Sequence, residues 1–263
     1  MDIIDKPIEE QGGKSVEQVL SEGYSFKLGE YLGQGFKLFG GDAAIYIGYF
    51  IVYVLISMVV GSIPFLGTVA SLFISPALAA GWFIYARMQK KEQQRSFSNF
   101  FDGFKTNWIQ LVLQNLITSI IAGAAVLLAL SPFMVGGLAE FIARFDDLQA
   151  AQGDPEAVQD ILMTIFTGKV ILGLVIASLV GAAITVLYVF APMFILFRGF
   201  QFWDAMEASR KVIMKNYMQF IIFLILLGLI GLVGVLFCCV GLLAAVPVIY
   251  LSIYAAYEDI MGS

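Results

Sequence analysis

The side chains that most often carry out chemistry in proteins are nearly missing from this chain. Its 263 residues include no histidine, which excludes the commonest general acid–base, the commonest metal ligand and every histidine-dependent catalytic triad. The only cysteines, Cys238 and Cys239, are adjacent within an apolar run, a spacing that supports neither a disulfide framework nor a zinc site. Gly33-Gln34-Gly35 is too short for a nucleotide-binding loop. The sequence therefore predicts no enzyme activity, no catalytic residue, no cofactor and no metal ion.

Three amide side chains are the polar exceptions within the apolar segments of the chain: Gln110, Gln114 and Asn115. Gln110 and Gln114 are four residues apart and share one face of a helix, whereas Asn115 lies on another face. Inside a membrane such amides usually form hydrogen bonds between helices, each contributing about 1 kcal/mol. The alternative is that they line a polar pore or a substrate cavity. Ionisable residues are almost absent from the apolar segments, which disfavours an active transporter.

Basic and aromatic residues cluster in three polar stretches that each come just before an apolar segment. Such residues suit contacts with lipid headgroups or with a protein partner, because a base beside a membrane attracts anionic lipid by about 1 kcal/mol. The candidate contacts are Phe36, Lys37, Phe104, Lys105, Trp203, Arg210, Lys211 and Lys215. The simpler alternative is that the bases only set the membrane topology. Glu207 and Lys211, at i and i+4, are expected to pair and stabilise a helix.

The composition is that of a membrane protein. Hydrophobic residues make up 60% of the chain and charged residues 13%, against about 45–50% and about 25% in soluble domains. A helix that crosses a membrane needs about 20 largely apolar residues. Six segments meet or nearly meet this length: Ala43–Ile63, Thr68–Ala86, Trp108–Leu130, Val170–Phe197, Tyr217–Phe237 and Val240–Tyr257. The first two segments, and the last two, are separated by short linkers, so each of these pairs is predicted to form a tight helical hairpin.

Basic residues are distributed unequally between the two sides that these segments define. Thirteen of the 15 Lys and Arg residues fall on one side, and the positive-inside rule makes that side cytoplasmic. Both termini are then cytoplasmic, and Ala43–Ile63 is expected to act as an uncleaved signal anchor. The net charge of −5 gives no electrostatic reason to expect nucleic acid as a partner.

An internal repeat organises the chain. When the sequence is shifted by 174 residues, one set of apolar or small residues aligns with another. Leu28, Tyr31, Leu32, Gly35 and Phe39 then align with Phe202, Ala205, Met206, Ser209 and Ile213. The residues of each set are spaced as on one side of an amphipathic helix. A third copy precedes the third segment, where Gly-Phe-Lys at 103–105 repeats Gly-Phe-Lys at 35–37. The second segment of each pair contains a proline that is expected to kink its helix, at Pro76, Pro192 and Pro247.

We therefore predict an all-α integral membrane protein with six transmembrane helices arranged as three repeated hairpins, each preceded by a cytoplasmic amphipathic interfacial helix. The repeats cover about 27–87, 96–198 and 201–258. Because all three would enter the membrane from the same face, they would be parallel repeats around an axis along the membrane normal. Residues 1–25 are predicted to be a polar, mobile tail, and 26–263 to be a single membrane domain.

The stretch 131–168 is the one large element predicted on the non-cytoplasmic side. Its apolar residues with helical spacing are Leu138, Phe141, Ile142, Phe145 and Leu148. This spacing predicts a helix along the membrane surface. Asp154 is predicted to cap a further helix that begins at Pro155 and ends near Phe166. The stretch carries six acids against one base, which suits a periplasmic partner or the membrane surface.

Three runs of residues resemble one broad set of bacterial membrane proteins. The runs are Gly35-Phe36-Lys37, Ile74-Ser75-Pro76-Ala77-Leu78-Ala79-Ala80-Gly81 and Ala205-Met206-Glu207-Ala208-Ser209-Arg210. The set includes the membrane domain of some glycerophosphodiester phosphodiesterases, the YciC-type inner-membrane proteins and stand-alone Bacteroidetes proteins. The resemblance covers nearly all of the chain after residue 25 and implies a six-span fold with no established activity. The name carotene monooxygenase, given to some members, implies an iron held by histidines, which this chain cannot supply.

The sequence thus favours a non-catalytic multi-pass scaffold or accessory subunit in the inner membrane of a bacterium. It would organise a protein or lipid partner through its cytoplasmic helices and the 131–168 loop. The expected partners are membrane lipids and a membrane or periplasmic protein. A face of small residues, Gly173, Ala177 and Gly181, suits close packing within the chain or homo-oligomerisation. The alternative function is a passive carrier or channel for an apolar or amphiphilic small molecule or lipid.

Overall fold

The computed structural model of the chain describes residues 13–151, 153–166, 169–237 and 240–262. All secondary structure in these residues is helical. The helices are α1 (Val16–Glu22), α2 (Leu28–Gly41), α3 (Ala43–Gly61), α4 (Leu66–Lys90), a 3-10 helix (Phe97–Phe104), α5 (Trp108–Ala143), α6 (Phe145–Ala150), α7 (Pro155–Phe166), α8 (Lys169–Val186), α9 (Ala191–Arg198), α10 (Phe202–Met214), α11 (Tyr217–Leu236) and α12 (Leu242–Met261).

Six helical segments are long and apolar enough to cross a membrane, which confirms the number of spans predicted from the sequence. They are α3, α4, α5, α11, α12 and Val170–Arg198, which contains α9 and nearly all of α8. The most apolar windows of these segments have mean hydropathies between 1.3 and 2.8. Such a set of helices is typical of a multi-pass membrane protein.

The third span differs most in length from its predicted bounds. α5 runs from Trp108 to Ala143, 13 residues beyond the predicted end at Leu130, and it passes through Pro132. A proline inside a helix removes one backbone hydrogen bond, but the apolar residues that follow it keep a helical spacing and the helix continues. The predicted surface helix near residues 138–148 is therefore divided between the end of α5 and the short helix α6.

The fourth predicted span, Val170–Phe197, is two helices rather than one. α8 ends at Val186, a turn occupies residues 187–190, and α9 begins at Ala191 with Pro192 in its first turn. Pro192 therefore starts a helix instead of kinking one, because the first turn needs no N–H donor from that residue. Pro76 and Pro247 lie inside α4 and α12, as expected.

A buried serine holds the turn between α8 and α9. The Ser209 hydroxyl of α10 donates to the Leu187 carbonyl at 2.7 Å and accepts from the Phe190 amide at 3.2 Å. Backbone groups at the end of one helix and the start of the next lack helical partners, so this single side chain satisfies both.

The chain divides into two compact units, one formed by the described parts of Met1–Ile117 and Val186–Ser263 and the other by Thr118–Thr185. In the first unit α4 and α12 form most of the core, since 50% and 61% of their most apolar windows are buried. The corresponding values for α3 and α11 are only 11% and 22%. These two helices therefore leave broad apolar faces uncovered by the chain itself.

Aromatic side chains fill the space between the 3-10 helix, α3 and α4. The fully buried Phe100 ring stacks on Tyr49 and on Tyr85, with ring centroids 4.0 and 4.3 Å apart. Trp82 meets Phe100 edge-on at 5.9 Å. The Tyr49 hydroxyl donates to the Leu78 carbonyl at 2.7 Å, so the one polar atom of this ring is satisfied. Such pairs contribute about 0.5–1.5 kcal/mol each beyond the burial of their area.

The elements formed by the three polar stretches pack on three different helices of the first unit. α2 lies on α12, the 3-10 helix on α4, and α10 on α9. Small residues permit the close approach: a Cβ atom at Gly35 would collide with Ser252, and one at Gly103 with the Ala77 carbonyl. Ser209, which the sequence shift aligns with Gly35, is also fully buried. The stretch before the third span was expected to form an amphipathic helix like the other two, and it forms the 3-10 helix Phe97–Phe104.

The predicted mobile tail over residues 1–25 differs from the structure in its described part. Val16–Glu22 form α1, whose first turn is closed by a capping box: the Gln18 amide donates to Ser15 Oγ at 3.1 Å and the Ser15 amide to Gln18 Oε1 at 2.8 Å. Val19 is buried, and α1 packs against α10 and α12. A capping box next to two apolar residues is enough to give this short helix a buried side. Residues 1–12, and both cysteines at 238 and 239, lie outside the described residues.

The second unit contains the predicted cap and the predicted face of small residues. Asp154 Oδ1 accepts from the amides of Glu156 and Ala157 at 3.1 and 3.3 Å, and α7 begins at Pro155 as expected. Within this unit Gly173 of α8 lies against Phe133, and Gly181 against Val126, so closely that a Cβ atom on either glycine would collide. The small face therefore packs against α5 within the chain.

Candidate functional site

Seven of the eight residues expected to contact headgroups or a partner are exposed. They are Phe36 and Lys37 on α2, Phe104 and Lys105 at the end of the 3-10 helix, and Trp203, Lys211 and Lys215 on or just after α10. Arg210 is half-buried. The exposed fractions of Phe36 and Trp203 are 53% and 61%, unusually high for aromatic side chains. We call these eight residues the aromatic–basic set.

Several bases of this set are already paired within the chain. The Lys105 ammonium donates to Asp102 at 2.8 Å, and this hydrogen bond raises the pKa of Lys105. Arg210 donates to both carboxylate oxygens of Glu207 at 2.9 and 2.7 Å, and this bidentate pair lowers the pKa of Glu207. Lys211 lies 3.4 Å from the same carboxylate, as expected of an i, i+4 pair. These contacts orient the bases on an exposed surface and contribute little stability.

Polar contacts on the opposite face fix α2 to the C-terminal part of α12. The Tyr31 hydroxyl and the Lys27 ammonium both donate to the Asp259 carboxylate, at 2.9 and 3.1 Å. The hydrogen bond to Asp259 raises the pKa of Lys27. Lys90 of α4 forms an ion pair with Glu258 of α12. α2 thus presents Phe36 and Lys37 outward from a firmly attached backbone.

A second polar network joins the α2–α3 junction to the end of α4. Arg95 Nε donates to Asp42 Oδ2 at 2.8 Å, and the Tyr85 hydroxyl donates to the same oxygen at 3.2 Å. The hydrogen bond to Asp42 raises the pKa of Arg95. Gln89 donates to the Leu38 carbonyl at 2.9 Å and accepts from Tyr46 at 2.6 Å. These partners are up to 53 residues apart, and no local pattern in the sequence indicates their pairing.

The three amides of the third span take different positions. Gln110 Oε1 accepts from the Phe202 amide at 2.8 Å, which satisfies a donor in the first turn of α10. Gln114 is buried, whereas Asn115 is half-buried. This hydrogen bond between Gln110 of α5 and Phe202 of α10 agrees with the interpretation that such amides form hydrogen bonds between helices.

Tyr24 joins the N-terminal segment to α10. Its hydroxyl donates to the Val212 carbonyl at 2.8 Å, and Asn216 Nδ2 donates to the Tyr24 carbonyl at 3.1 Å. Burial raises the pKa of the Tyr24 phenol to about 12. This contact, together with α1, holds the start of the described chain against the same helix that carries Trp203 and Lys211.

From the sequence, two arginines contribute only to the count of bases that sets the membrane topology, but the structure buries both. Arg87 lies in the last turn of α4 and Arg198 is the last residue of α9, and their exposed fractions are 5% and 8%. The Arg87 guanidinium lies 4.4 Å from the centre of the Phe197 ring, and Arg198 Nη2 donates to the Met261 carbonyl at 2.9 Å. The signal in the sequence is that each arginine directly follows an apolar run with an aromatic residue, Ile84-Tyr85-Ala86 and Leu196-Phe197.

Two of the cavities lined by described residues of the first unit are large enough for a small ligand. A cleft of about 390 Å³ lies among α1, the segment that follows α9, and α10, and Arg198 and Lys211 are among its lining residues. An almost entirely apolar groove of about 440 Å³ is lined by residues of α2, α11 and α12, including Phe36. Ligand pockets typically measure about 300–1,000 Å³.

Within the described ranges, no three His, Cys, Asp or Glu side chains come close enough to hold a metal ion. In the first unit, the guanidinium, ammonium, carboxylate and phenol groups described above form ion pairs and hydrogen bonds with one another and with the backbone. Comparison with known proteins finds no matching family model, no matching curated protein and no matching solved structure.

Proposed function

We propose that this protein is a non-catalytic, multi-pass membrane scaffold or accessory subunit that organises a protein or lipid partner. The proposal places it in the inner membrane of a bacterium with both termini cytoplasmic. α2, the 3-10 helix and α10 then lie at the cytoplasmic surface of the membrane, and the partner contacts them there.

The observation that carries the proposal is the two-sided character of these three elements. Each buries one face against a neighbouring helix, through Gly35, Gly103 or Ser209, and each exposes aromatic or basic residues on another face. Exposed aromatic side chains on a well-ordered backbone are typical of binding surfaces, because they bury a large area on contact and lose little conformational entropy.

The order of packing supports three repeated hairpins with an interfacial helix before each. α2 precedes the first hairpin and packs on α12 of the third, the 3-10 helix precedes the second and packs on α4 of the first, and α10 precedes the third and packs on α9 of the second. Each element thus contacts the second half of the preceding repeat in cyclic order. This arrangement is expected of parallel repeats around one axis.

The uncovered faces of the spans are suited to contact with lipid. Few residues of α3 and α11 are buried, and apolar residues such as Leu55, Met58 and Leu232 are exposed. In a membrane these faces contact lipid tails, so α3 supplies a comparison surface for the partner surface formed by α2, the 3-10 helix and α10.

The test is recovery of the partner by a triple variant, Phe36→Ala, Phe104→Ala and Trp203→Ala. Truncation of aromatic hot spots costs about 2 kcal/mol or more each, so recovery of any specific partner should fall by at least ~30-fold. The matched control is Leu55→Ala, Met58→Ala and Val59→Ala, which removes equally exposed apolar residues from α3. Unchanged recovery from the first variant, in protein that is still inserted in the membrane, would contradict the proposal.

The apolar groove among α2, α11 and α12 favours a second candidate function, a passive carrier for an apolar or amphiphilic molecule. Leu226, Val233 and Phe237 contribute to its lining, and polar atoms contribute almost nothing. The test is lipid exchange or solute flux by pure protein in liposomes, with Val233→Trp to fill the groove and Gln110→Leu to test the alternative that the amides of the third span line a pathway. Flux that neither variant changes would exclude a pathway through these residues.

A further inference from the structure

The cleft among α1, the segment after α9, and α10 combines a buried cation with an acidic rim. Arg198 is 8% exposed and lines the cleft, while the carboxylates of Glu17 and Asp204 line it from exposed positions. Lys211 and Glu207 complete the charged lining. Neither Phe36 nor Phe104 lines this cleft.

The chemistry of Arg198 points to an anion. Its Nη2 donates to the Met261 carbonyl, an oxygen that also accepts from the Lys14 amide at 2.8 Å. A guanidinium has five N–H donors, so the contact with Met261 leaves donors for a ligand. Among the described residues no carboxylate lies within ion-pair distance of this guanidinium. A cation removed from water without a carboxylate partner binds an anion more strongly than an exposed one does, and a guanidinium can bind phosphate in bidentate fashion.

The carboxylates of the cleft differ in how far they are already neutralised. Glu207 is held by Arg210 and Lys211. Glu17 and Asp204 form no ion pair within the described part of the chain and remain exposed at the cleft. A simple anion would meet repulsion from these two acids, whereas a ligand that also carries an ammonium group would be attracted by them.

We infer that the cleft binds a zwitterionic phosphate ester of the phosphoethanolamine type. The phosphate contacts Arg198 and is close to Lys211, and the ammonium group lies between Glu17 and Asp204. A cleft of about 390 Å³ accommodates such a group. The ligand is either the headgroup of a phospholipid or the corresponding soluble phosphodiester, which have the same recognition chemistry. This inference does not depend on the scaffold proposal, because the soluble probes are measured on the protein alone and Lys211 is the one cleft residue that also belongs to the aromatic–basic set.

The experiment measures binding of soluble probes to the full-length protein in detergent by titration calorimetry. The probes are glycerophosphoethanolamine, glycerophosphoglycerol, which has the phosphodiester without the ammonium, and β-alanine, which has a carboxylate in place of the phosphate. Glycerophosphoethanolamine should bind at least ~10-fold more tightly than either of the others. Equal binding of all three, or no binding of glycerophosphoethanolamine, would overturn the inference.

Two variants test the assigned residues. Arg198→Gln should weaken binding of glycerophosphoethanolamine by at least ~10-fold, because it removes charge-assisted hydrogen bonds to the phosphate. Arg198 also donates to the Met261 carbonyl, so Arg198→Gln changes a structural contact as well as the ligand contact. The double variant Glu17→Gln and Asp204→Asn is therefore the decisive test. It changes only exposed residues and should remove the preference for glycerophosphoethanolamine over glycerophosphoglycerol. A preference that survives would place the ammonium elsewhere and contradict the inference.

A control variant and an experiment with lipid nanodiscs complete the design. Arg144→Gln removes a base of the second unit that neither lines the cleft nor belongs to the aromatic–basic set, and should leave all three affinities unchanged. Native mass spectrometry of protein from nanodiscs that contain phosphatidylethanolamine and phosphatidylglycerol then distinguishes the sources. Retained phosphatidylethanolamine, lost in the double variant, identifies a lipid headgroup, whereas binding of the soluble probe alone identifies a free phosphodiester.

Discussion

Gly35 of α2 lies against Ser252 of α12 so closely that a Cβ atom at position 35 would come within 2.9 Å of the Ser252 backbone nitrogen. Because the obstacle includes backbone, rotation of a side chain cannot relieve it. Gly33, two residues earlier in the same helix, has no atom within 4 Å of the corresponding position. One glycine therefore determines how closely α2 approaches α12, and the other does not.

This difference gives a matched pair of substitutions. Gly35→Ala should lower the free energy of unfolding by about 1–3 kcal/mol through overpacking. Gly33→Ala should raise it by about 0.5–1 kcal/mol, because alanine favours an exposed helical position over glycine. Unfolding in mixed detergent, followed by tryptophan fluorescence, measures both. Equal effects of the two substitutions would show that α2 does not pack on α12 through Gly35.

Two fully buried serines make a second matched pair. Ser209→Ala removes both hydrogen bonds that hold the turn between α8 and α9, and should cost about 1–3 kcal/mol of unfolding free energy. Ser252 Oγ is buried with no hydrogen-bond partner in the described residues, so Ser252→Ala should be neutral or slightly stabilising. Thermal denaturation in detergent compares them. A larger loss for Ser252→Ala than for Ser209→Ala would contradict this assignment of hydrogen bonds.

The parts of the fold that were predicted from the sequence depend on local patterns. Apolar length gives six spans, and the sequence Asp154-Pro155 gives the start of α7, because both signals lie within a few adjacent residues. The sequence did not predict α1, although Ser15 and Gln18 form a capping box, because the segment is polar overall and the burial of its two valines depends on contacts with distant helices.

The parts that were not predicted depend on contacts between distant residues. Gln110 bonds to Phe202, 92 residues away, and the buried Arg198 donates to the Met261 carbonyl, 63 residues away. The turn at 187–190 is stable because Ser209 reaches it from α10. A single sequence contains no signal for such pairings, so the cleft at Arg198 could not be foreseen.

Gln110 provides a test that separates a structural amide from a lining residue. Gln110→Leu leaves the Phe202 amide unpaired at the start of α10 and should cost about 1–3 kcal/mol of unfolding free energy. Asn115→Leu, in the same helix, is the control and should change stability by less than about 0.5 kcal/mol. Both are measured by unfolding in mixed detergent. If Gln110→Leu leaves stability unchanged, the bond to Phe202 has no structural importance.

The raised pKa of Tyr24 predicts how stability depends on pH. The folded protein holds the phenol neutral with a pKa of about 12, compared with an ordinary value of 10.0 in the unfolded chain. Below pH 10 both states are protonated, and as the pH rises from 10 towards 12 the unfolded state loses its proton first, so stability falls. The loss attributable to Tyr24 should approach about 2–3 kcal/mol near pH 12.

The comparison with Tyr24→Phe isolates this contribution, because the other tyrosines titrate in both proteins. The variant should be less stable than the natural protein at pH 8, where it lacks the hydrogen bond to Val212, and the difference should shrink as the pH approaches 12. A difference that stays constant across this range would mean that Tyr24 ionises normally in the folded protein.

The most direct test of the scaffold proposal is site-specific photocrosslinking in cells. A photoreactive amino acid is placed singly at positions 36, 104 and 203, and at position 58 of α3 as a control. The proposal predicts that the first three positions give the same protein or lipid adduct and that position 58 does not give it. Three unrelated sets of adducts, or the same adducts from position 58, would contradict a partner surface formed by α2, the 3-10 helix and α10.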